Sequence, residues 1–156
     1  MAENGITITV TGKPVPKGRG RAVALPGGRT RVVTPQKTRR WEADARDIAR
    51  FQMIGRELFT GCLQVTISCA LPIPPSWPPW KREAAKNRQI GPAGKPDGTN
   101  LAKGAEDALN GIVWNDDSQI TSLLILKFYS EKPYVEIRVG SLEIPPASTV
   151  KKADLE

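Results

Sequence analysis

Three aspartates bracket one short segment of the 156-residue chain. Asp97 stands just before a helix expected over residues 100–110. Asp116 and Asp117 stand just after it, ahead of an apolar strand. An element that runs out and back brings its ends near each other, so the three carboxylates are expected to converge at one edge of a sheet. Carboxylates a few ångströms apart repel unless a cation sits between them. Magnesium takes hard oxygen ligands and needs only one or two carboxylates when phosphate and water complete its shell. Lys103, early in the same helix, can set an ammonium beside a bound phosphate and stabilise charge growing on its oxygens. Such a set is able to perform metal-assisted phosphodiester hydrolysis with Asp97, Asp116 and Asp117 as candidate ligands, but spacing alone does not establish a metal site.

Each of these residues also has a plainer reading. Asp97-Gly98 is a turn signal. Asp116-Asp117 reads equally as a surface turn, and Lys103 with Asp107 as an i,i+4 ion pair. Asn100 caps the helix or hydrogen-bonds a carboxylate. The residues alone therefore leave three classes open: a nuclease, a nucleic-acid-binding accessory protein without chemistry, and an interaction domain whose acids only make turns.

The elements that position these groups follow from periodicity. Ile6, Ile8 and Val10 alternate with threonines, and Leu63, Val65, Ile67 and Cys69 alternate with polar residues; both read as strands. Residues 21–25 and 29–33 flank Pro26-Gly27-Gly28 as a hairpin. Thr34-Pro35 is expected to cap a helix over residues 35–58, with Trp41, Ala45, Ile48, Phe51 or Gln52, Gly55 and Leu58 on its apolar stripe. A Pro-rich stretch with Trp77 and Trp80 precedes a short basic helix over residues 81–88. Residues 120–129 form an apolar run expected as a central strand, joined through Glu131-Lys132-Pro133 as a hairpin to a last strand at Val135, Ile137 and Val139. The sum is one α/β (α+β) domain over residues 1–142, with five or six strands in a mixed sheet and two main helices. A polar tail covers residues 143–156.

Lys and Arg number 23 against 16 Asp and Glu, and eleven of the basic residues lie within the first fifty positions. That excess favours a polyanionic partner, because phosphate contacts release condensed counterions. Lys13, Lys17, Arg19 and Arg21, in a Pro/Gly-rich loop, are the first candidates for phosphate contacts, followed by Lys37, Arg39 and Arg40. Lys81, Arg82, Lys86 and Arg88 form a weaker group. Two cysteines and no histidine exclude a disulfide framework and a mixed Cys/His zinc site. The N-terminus has no leader pattern and no apolar run approaches eighteen residues, so a cytoplasmic protein without a membrane span is expected.

Two segments carry a family resemblance: Lys95-Pro96-Asp97-Gly98-Thr99-Asn100-Leu101-Ala102-Lys103, and then Glu106-Asp107-Ala108-Leu109-Asn110-Gly111-Ile112-Val113-Trp114-Asn115-Asp116-Asp117-Ser118-Gln119-Ile120. Together they resemble the signature of the RusA-like Holliday junction resolvases, which are crossover junction endodeoxyribonucleases. Gly12-Lys13-Pro14-Val15-Pro16-Lys17-Gly18-Arg19 and Thr34-Pro35-Gln36-Lys37-Thr38-Arg39 are similar to the phage and prophage branch. The resemblance spans roughly residues 6–140, with several segments in order. It implies a RusA-like fold and a homodimer that binds four-way DNA junctions. It also implies one nick per subunit, Mg²⁺, and service in DNA recombination and repair. By motif, the catalytic aspartates fall on Asp97 and Asp117, the lysine on Lys103, and Asp116 stands beside Asp117 in support. One departure stands out. The family motif often has a second carboxylate two residues after the first, whereas this chain has Thr99. A neutral hydroxyl is a weaker magnesium ligand. Asp116 is the expected replacement, and the alternative is a junction-binding protein with weak or no cleavage.

Overall fold

The computed structural model describes residues 4–156; Met1, Ala2 and Glu3, part of the N-terminus read above for a leader, lie outside the described residues. The alternating segments become strands. In β1 (Ile6–Thr11) the isoleucines and Val10 are buried and the threonines exposed. β2 (Arg21–Leu25) and β3 (Arg29–Val33) pair around Gly27 and Gly28, whose φ values of 85° and 74° favour glycine. Then follow α1 (Gln36–Gln52), β4 (Leu63–Pro72), α2 (Pro79–Lys86), α3 (Gly98–Leu109), β5 (Ile120–Ser130) and β6 (Tyr134–Ser141).

The fold is α+β. Its sheet has the order β1-β6-β4-β5, with β4 and β5 parallel and the other pairs antiparallel. A parallel pair needs a long crossover, and here that crossover carries α2 and α3. One face of the sheet presents Ile8, Ile67 and Ile137 to Trp41 and Ala45 of α1 and Leu101 and Ala105 of α3, all buried. The six strands therefore divide into a four-stranded mixed sheet and a separate two-stranded ribbon, β2–β3.

Three expectations need correction. β5 is an edge strand, bonded only to β4, and it exposes Leu123, Leu124 and Leu126. Its apolar run resembles a strand buried on both faces, but run composition does not report lateral neighbours. The turn at residues 131–133 is no hairpin, because β6 pairs with β4 and β1; the chain passes the end of β4 instead. The first helix stops at Gln52, followed by Met53 and by Gly55 at φ 72°, and Thr34 makes no cap because Pro35 holds that position. Its buried stripe is Thr38, Trp41, Glu42, Ala45 and Ala49, while Phe51 is exposed.

Candidate active site

α3 begins where the chain leaves a loop pinned to β5. The Lys127 ammonium donates to the carbonyls of Gly94 (2.8 Å) and Pro96 (2.9 Å). A Cβ on Gly98 would lie 3.3 Å from Ile125 Cγ2, so glycine lets the helix start close to the strand. Asp97 occupies the N-cap position, with extended backbone and no side-chain capping bond. Its carboxylate is exposed, and among the described residues its side-chain hydrogen-bond partner is Asn100 Nδ2, at a long 3.4 Å. Apolar residues at Leu101, Ala105, Ala108 and Leu109 bury the opposite side of the helix. Asn100, Lys103 and Asp107, at i, i+3 and i+7, therefore share an outer stripe.

That stripe meets two other segments. Lys103 Nζ lies 3.0 Å from Asp107 Oδ1 and 3.6 Å from Asp117 Oδ2. Lys17 joins from the N-terminal loop: its backbone N–H donates to the Asn100 carbonyl (2.9 Å), and its ammonium contacts Asp107 Oδ2 (3.0 Å) and Glu42 of α1. Charges thus alternate along Glu42, Lys17, Asp107, Lys103 and Asp117. At the far end the indole N–H of Trp114, a fully buried side chain, donates to Asp117 Oδ1 at 3.1 Å. Asp117 is held on one side by the core and on the other by an ammonium.

The network shifts its own ionisations. The Lys103 ammonium is raised above its ordinary 10.5 by the hydrogen bond to Asp107, with the charges of Asp107, Asp117 and Glu106 adding to it. For Asp107, burial alone would raise the carboxyl, yet hydrogen bonds from Lys103 and Lys17 together bring it below 3.8. Lys17 behaves likewise: burial opposes its charge, and Glu42 and Asp107 outweigh burial. Glu106 is raised above 4.5, first by burial and then by the negative charge of Asp117.

Asp116 has a different setting. Its carboxylate accepts from Ser118 N–H (2.8 Å), capping a one-turn 3₁₀ helix over Asp117–Gln119. Gln119 completes the capping box by accepting from Asp116 N–H (3.0 Å), and it also donates to the Phe59 and Gly61 carbonyls. The hollow beside Asp116 is lined by Thr60, Gly61 and Cys62, with Pro146 and Ser148 of the tail. The structure thus gathers Lys103, Asp107 and Asp117 and gives Asp116 to its own turn. No group of three or more Asp, Glu or Cys side chains able to hold a metal occurs among the described residues. The donor set suits magnesium only in its sparsely ligated mode, with one or two carboxylates and the rest of the shell from phosphate and water. Asp97 and Asp117 are the residues whose carboxylates would supply the oxygens for that mode. Thr99 is exposed beside Asp97, in a shallow hollow shared with Leu126 and Lys127.

Among the basic candidates, Lys13, Arg19, Arg21, Lys37, Arg39 and Arg40 are exposed. Lys17 is the exception, engaged by its two carboxylates. Arg88 stacks over Phe128 at 4.0 Å and Lys81 over Trp77 at 4.2 Å. Glu42 is the member of this charge network that spacing missed. The signal for it was a glutamate lying on the apolar stripe, three residues before Ala45 and seven before Ala49. For Asp116 the signal was the capping-box spacing to Gln119.

The described residues contain no helix long and apolar enough to cross a membrane. Cys69 is buried on β4, and burial pushes its thiol up to about 11, so it is an inert core residue.

The chain is 34% identical over 136 residues to a Bacillus subtilis (strain 168) protein described as "Uncharacterized protein YqaN", covering 86% of this chain and 94% of that one. The family described as "Endodeoxyribonuclease RusA" matches residues 11–140, a span that includes Lys17, the whole of α3 and Asp117. The chain belongs to the RusA endodeoxyribonuclease family.

Proposed function

We propose that this chain is a Mg²⁺-dependent endonuclease that resolves four-way (Holliday) DNA junctions by paired symmetric nicks, working as a cytoplasmic homodimer. The observation that carries the reading is Lys103, on the outer stripe of a helix whose start presents Asp97, held beside Asp117. Asp97 and Asp117 are the residues that would hold magnesium. When bound, the ion polarises the phosphate and lowers the pKa of attacking water. The protein's own residues do the rest. Lys103, kept protonated by Asp107, offers fixed positive charge to the phosphate oxygens as negative charge builds on them. Trp114 orients Asp117, and Lys17 with Glu42 anchors Asp107 so that Lys103 keeps its direction. We assign Lys17 to this positioning role rather than to phosphate contact. Lys13, Arg19, Arg21, Lys37, Arg39 and Arg40 are exposed cations suited to contact the DNA backbone, fixing its register. The open edge of β5, with Leu123, Leu124 and Leu126 exposed, supports association with a second copy.

A second reading has a specific observation behind it. Thr99 replaces a motif carboxylate, and Asp116 is engaged as a cap. The chain would then bind junctions and cut them weakly or not at all. Nicking of a synthetic four-way junction in Mg²⁺ separates the two readings, with Thr99→Asp as the diagnostic variant. Efficient wild-type nicking supports the first. Binding with little or no nicking, raised severalfold by Thr99→Asp, supports the second.

A further inference from the structure

The β2–β3 ribbon stands apart from the main sheet. Both strands are exposed almost throughout and pack chiefly on each other. A lone two-stranded hairpin is marginal in water, and this one leaves Val23, Leu25 and Val32 open to solvent. Its register sorts the side chains. Residues directly opposite in an antiparallel pair share a face, and the pairs are Arg21↔Val33, Val23↔Arg31 and Leu25↔Arg29. All three arginines of the ribbon therefore lie on one face, in successive steps of about 7 Å along it. The other face holds Ala22, Ala24, Thr30 and Val32 and no charge. None of the three arginines forms a salt bridge among the described residues. The whole stretch of residues 4–41 holds nine Lys and Arg and no Asp or Glu.

The ribbon also grows out of the active-site rim. The loop that leads into β2 is bolted to α3 through Lys17, and Gly18 N–H bonds Thr38 Oγ1 of α1 (3.2 Å) just after β3 returns. A Cβ on Gly18 or Gly20 would lie 2.6 Å from Pro35 or 2.2 Å from Val32, so the base is tightly closed. The tip is slim, with open space around Gly27 and Gly28.

We propose that β2–β3 is a duplex-binding arm that enters the major groove of a DNA arm flanking the cleavage point, with Arg21, Arg29 and Arg31 facing the DNA. This rests on the endonuclease reading above. A groove about 12 Å wide admits a two-stranded ribbon. A one-sided row of unpaired arginines complements the phosphate walls, and Val23 and Leu25 between them can contact apolar base edges such as thymine methyls. Arg29 and Arg31 then join the DNA-contacting set, although they lie outside the loop and helix start.

The test uses the full chain, with binding to a four-way junction and to a linear duplex measured over a salt series without divalent metal. Arg29→Ala/Arg31→Ala is expected to weaken both complexes on the order of tenfold, to lower the salt slope by about 1.8, and to leave the melting temperature unchanged. Should that pair unfold, Arg29→Gln and Arg31→Gln singly are expected to lower the slope by about 0.9 each. Unchanged affinity and slope beside a wild type that binds DNA would overturn the proposal while leaving the endonuclease reading standing. A loss confined to the junction would overturn the assignment to a duplex arm. Loss of self-association with unaltered DNA binding would make the face an interface between copies and overturn the proposal as well. A wild type that binds neither DNA removes the endonuclease reading together with the arm's ligand, and that result needs no variant.

Discussion

Lys103 and Arg31 carry the same sign of charge in opposite settings. At Lys103 each ammonium meets a carboxylate, each carboxylate meets a second donor, and the chain of contacts ends on buried Trp114 and nearly buried Glu42. On the ribbon, Arg21, Arg29 and Arg31 sit opposite apolar residues and exposed to solvent. Pairing fixes a side chain in place, which a group acting on a reacting phosphate requires. Lack of pairing keeps cations available to a polyanion, at some cost to the isolated ribbon. On the function proposed above, the two regions divide the work into holding the chemistry still and capturing the DNA.

The largest effect is expected at Lys103. Lys103→Met is expected to lower the single-turnover cleavage rate by about 10²–10³-fold with junction affinity little changed, because its charge acts on the transition state. An equal loss in affinity would move Lys103 into the capture class. Lys17→Met comes next. It leaves Glu42, whose side chain is 7% exposed, with only the longer 3.7 Å contact to Arg46 among the described residues. It should destabilise the fold by about 2 kcal/mol in denaturant titration, less than the ~3–5 of a fully buried pair because Lys17 keeps some solvent. No stability change would place Lys17 among the free cations after all.

The acid limb of stability is a finer probe. The folded pKa of Asp107 lies below its ordinary value, so its contribution is present above pH 3.8 and fades as pH falls through the lower folded value. Lys17 and Lys103 are raised, so their contributions hold below pH 10.5 and fade as pH rises through the higher folded values. Asp107→Asn should flatten both limbs, with a loss of less than about 1 kcal/mol from each exposed pair at neutral pH. Unchanged melting temperatures across pH 2–5 would contradict it. The smallest effect has the opposite sign. Glu106 is raised, so its ionised form costs stability at neutral pH, and Glu106→Gln should increase the melting temperature slightly. A decrease would show that Glu106 has a favourable partner instead.

Much of this was legible before the fold was known. The alternation at Ile6, Ile8 and Val10, the glycines between residues 25 and 29, and the motif from Lys95 to Lys103 set β1, the ribbon and α3, because each is a local pattern. What escaped was non-local. Residues 120–130 are apolar enough for a central strand, yet position in a sheet depends on which strands lie beside it, and β6 chose β4. Glu42 and Lys17 are 25 residues apart, and no spacing rule joins them. Asp116 and Asp117 are neighbours in sequence with opposite duties, since the 3₁₀ turn sends one carboxylate to Ser118 and the other to Trp114 and Lys103. Of the set expected to converge, Asp97, Asp116 and Asp117, the turn chemistry of Asp116 was readable from its spacing to Gln119, and it competes with metal binding for the same oxygens.

The most direct test of the account is cleavage of a synthetic four-way junction by wild type and by Asp97→Asn, with and without Mg²⁺, beside a linear duplex of the same sequence. The account predicts paired symmetric nicks in the junction by wild type in Mg²⁺ only, an intact linear duplex, and an Asp97→Asn protein that binds the junction but does not cut it. Cutting by Asp97→Asn at the wild-type rate, or a wild type that binds junctions and never nicks them, would contradict it.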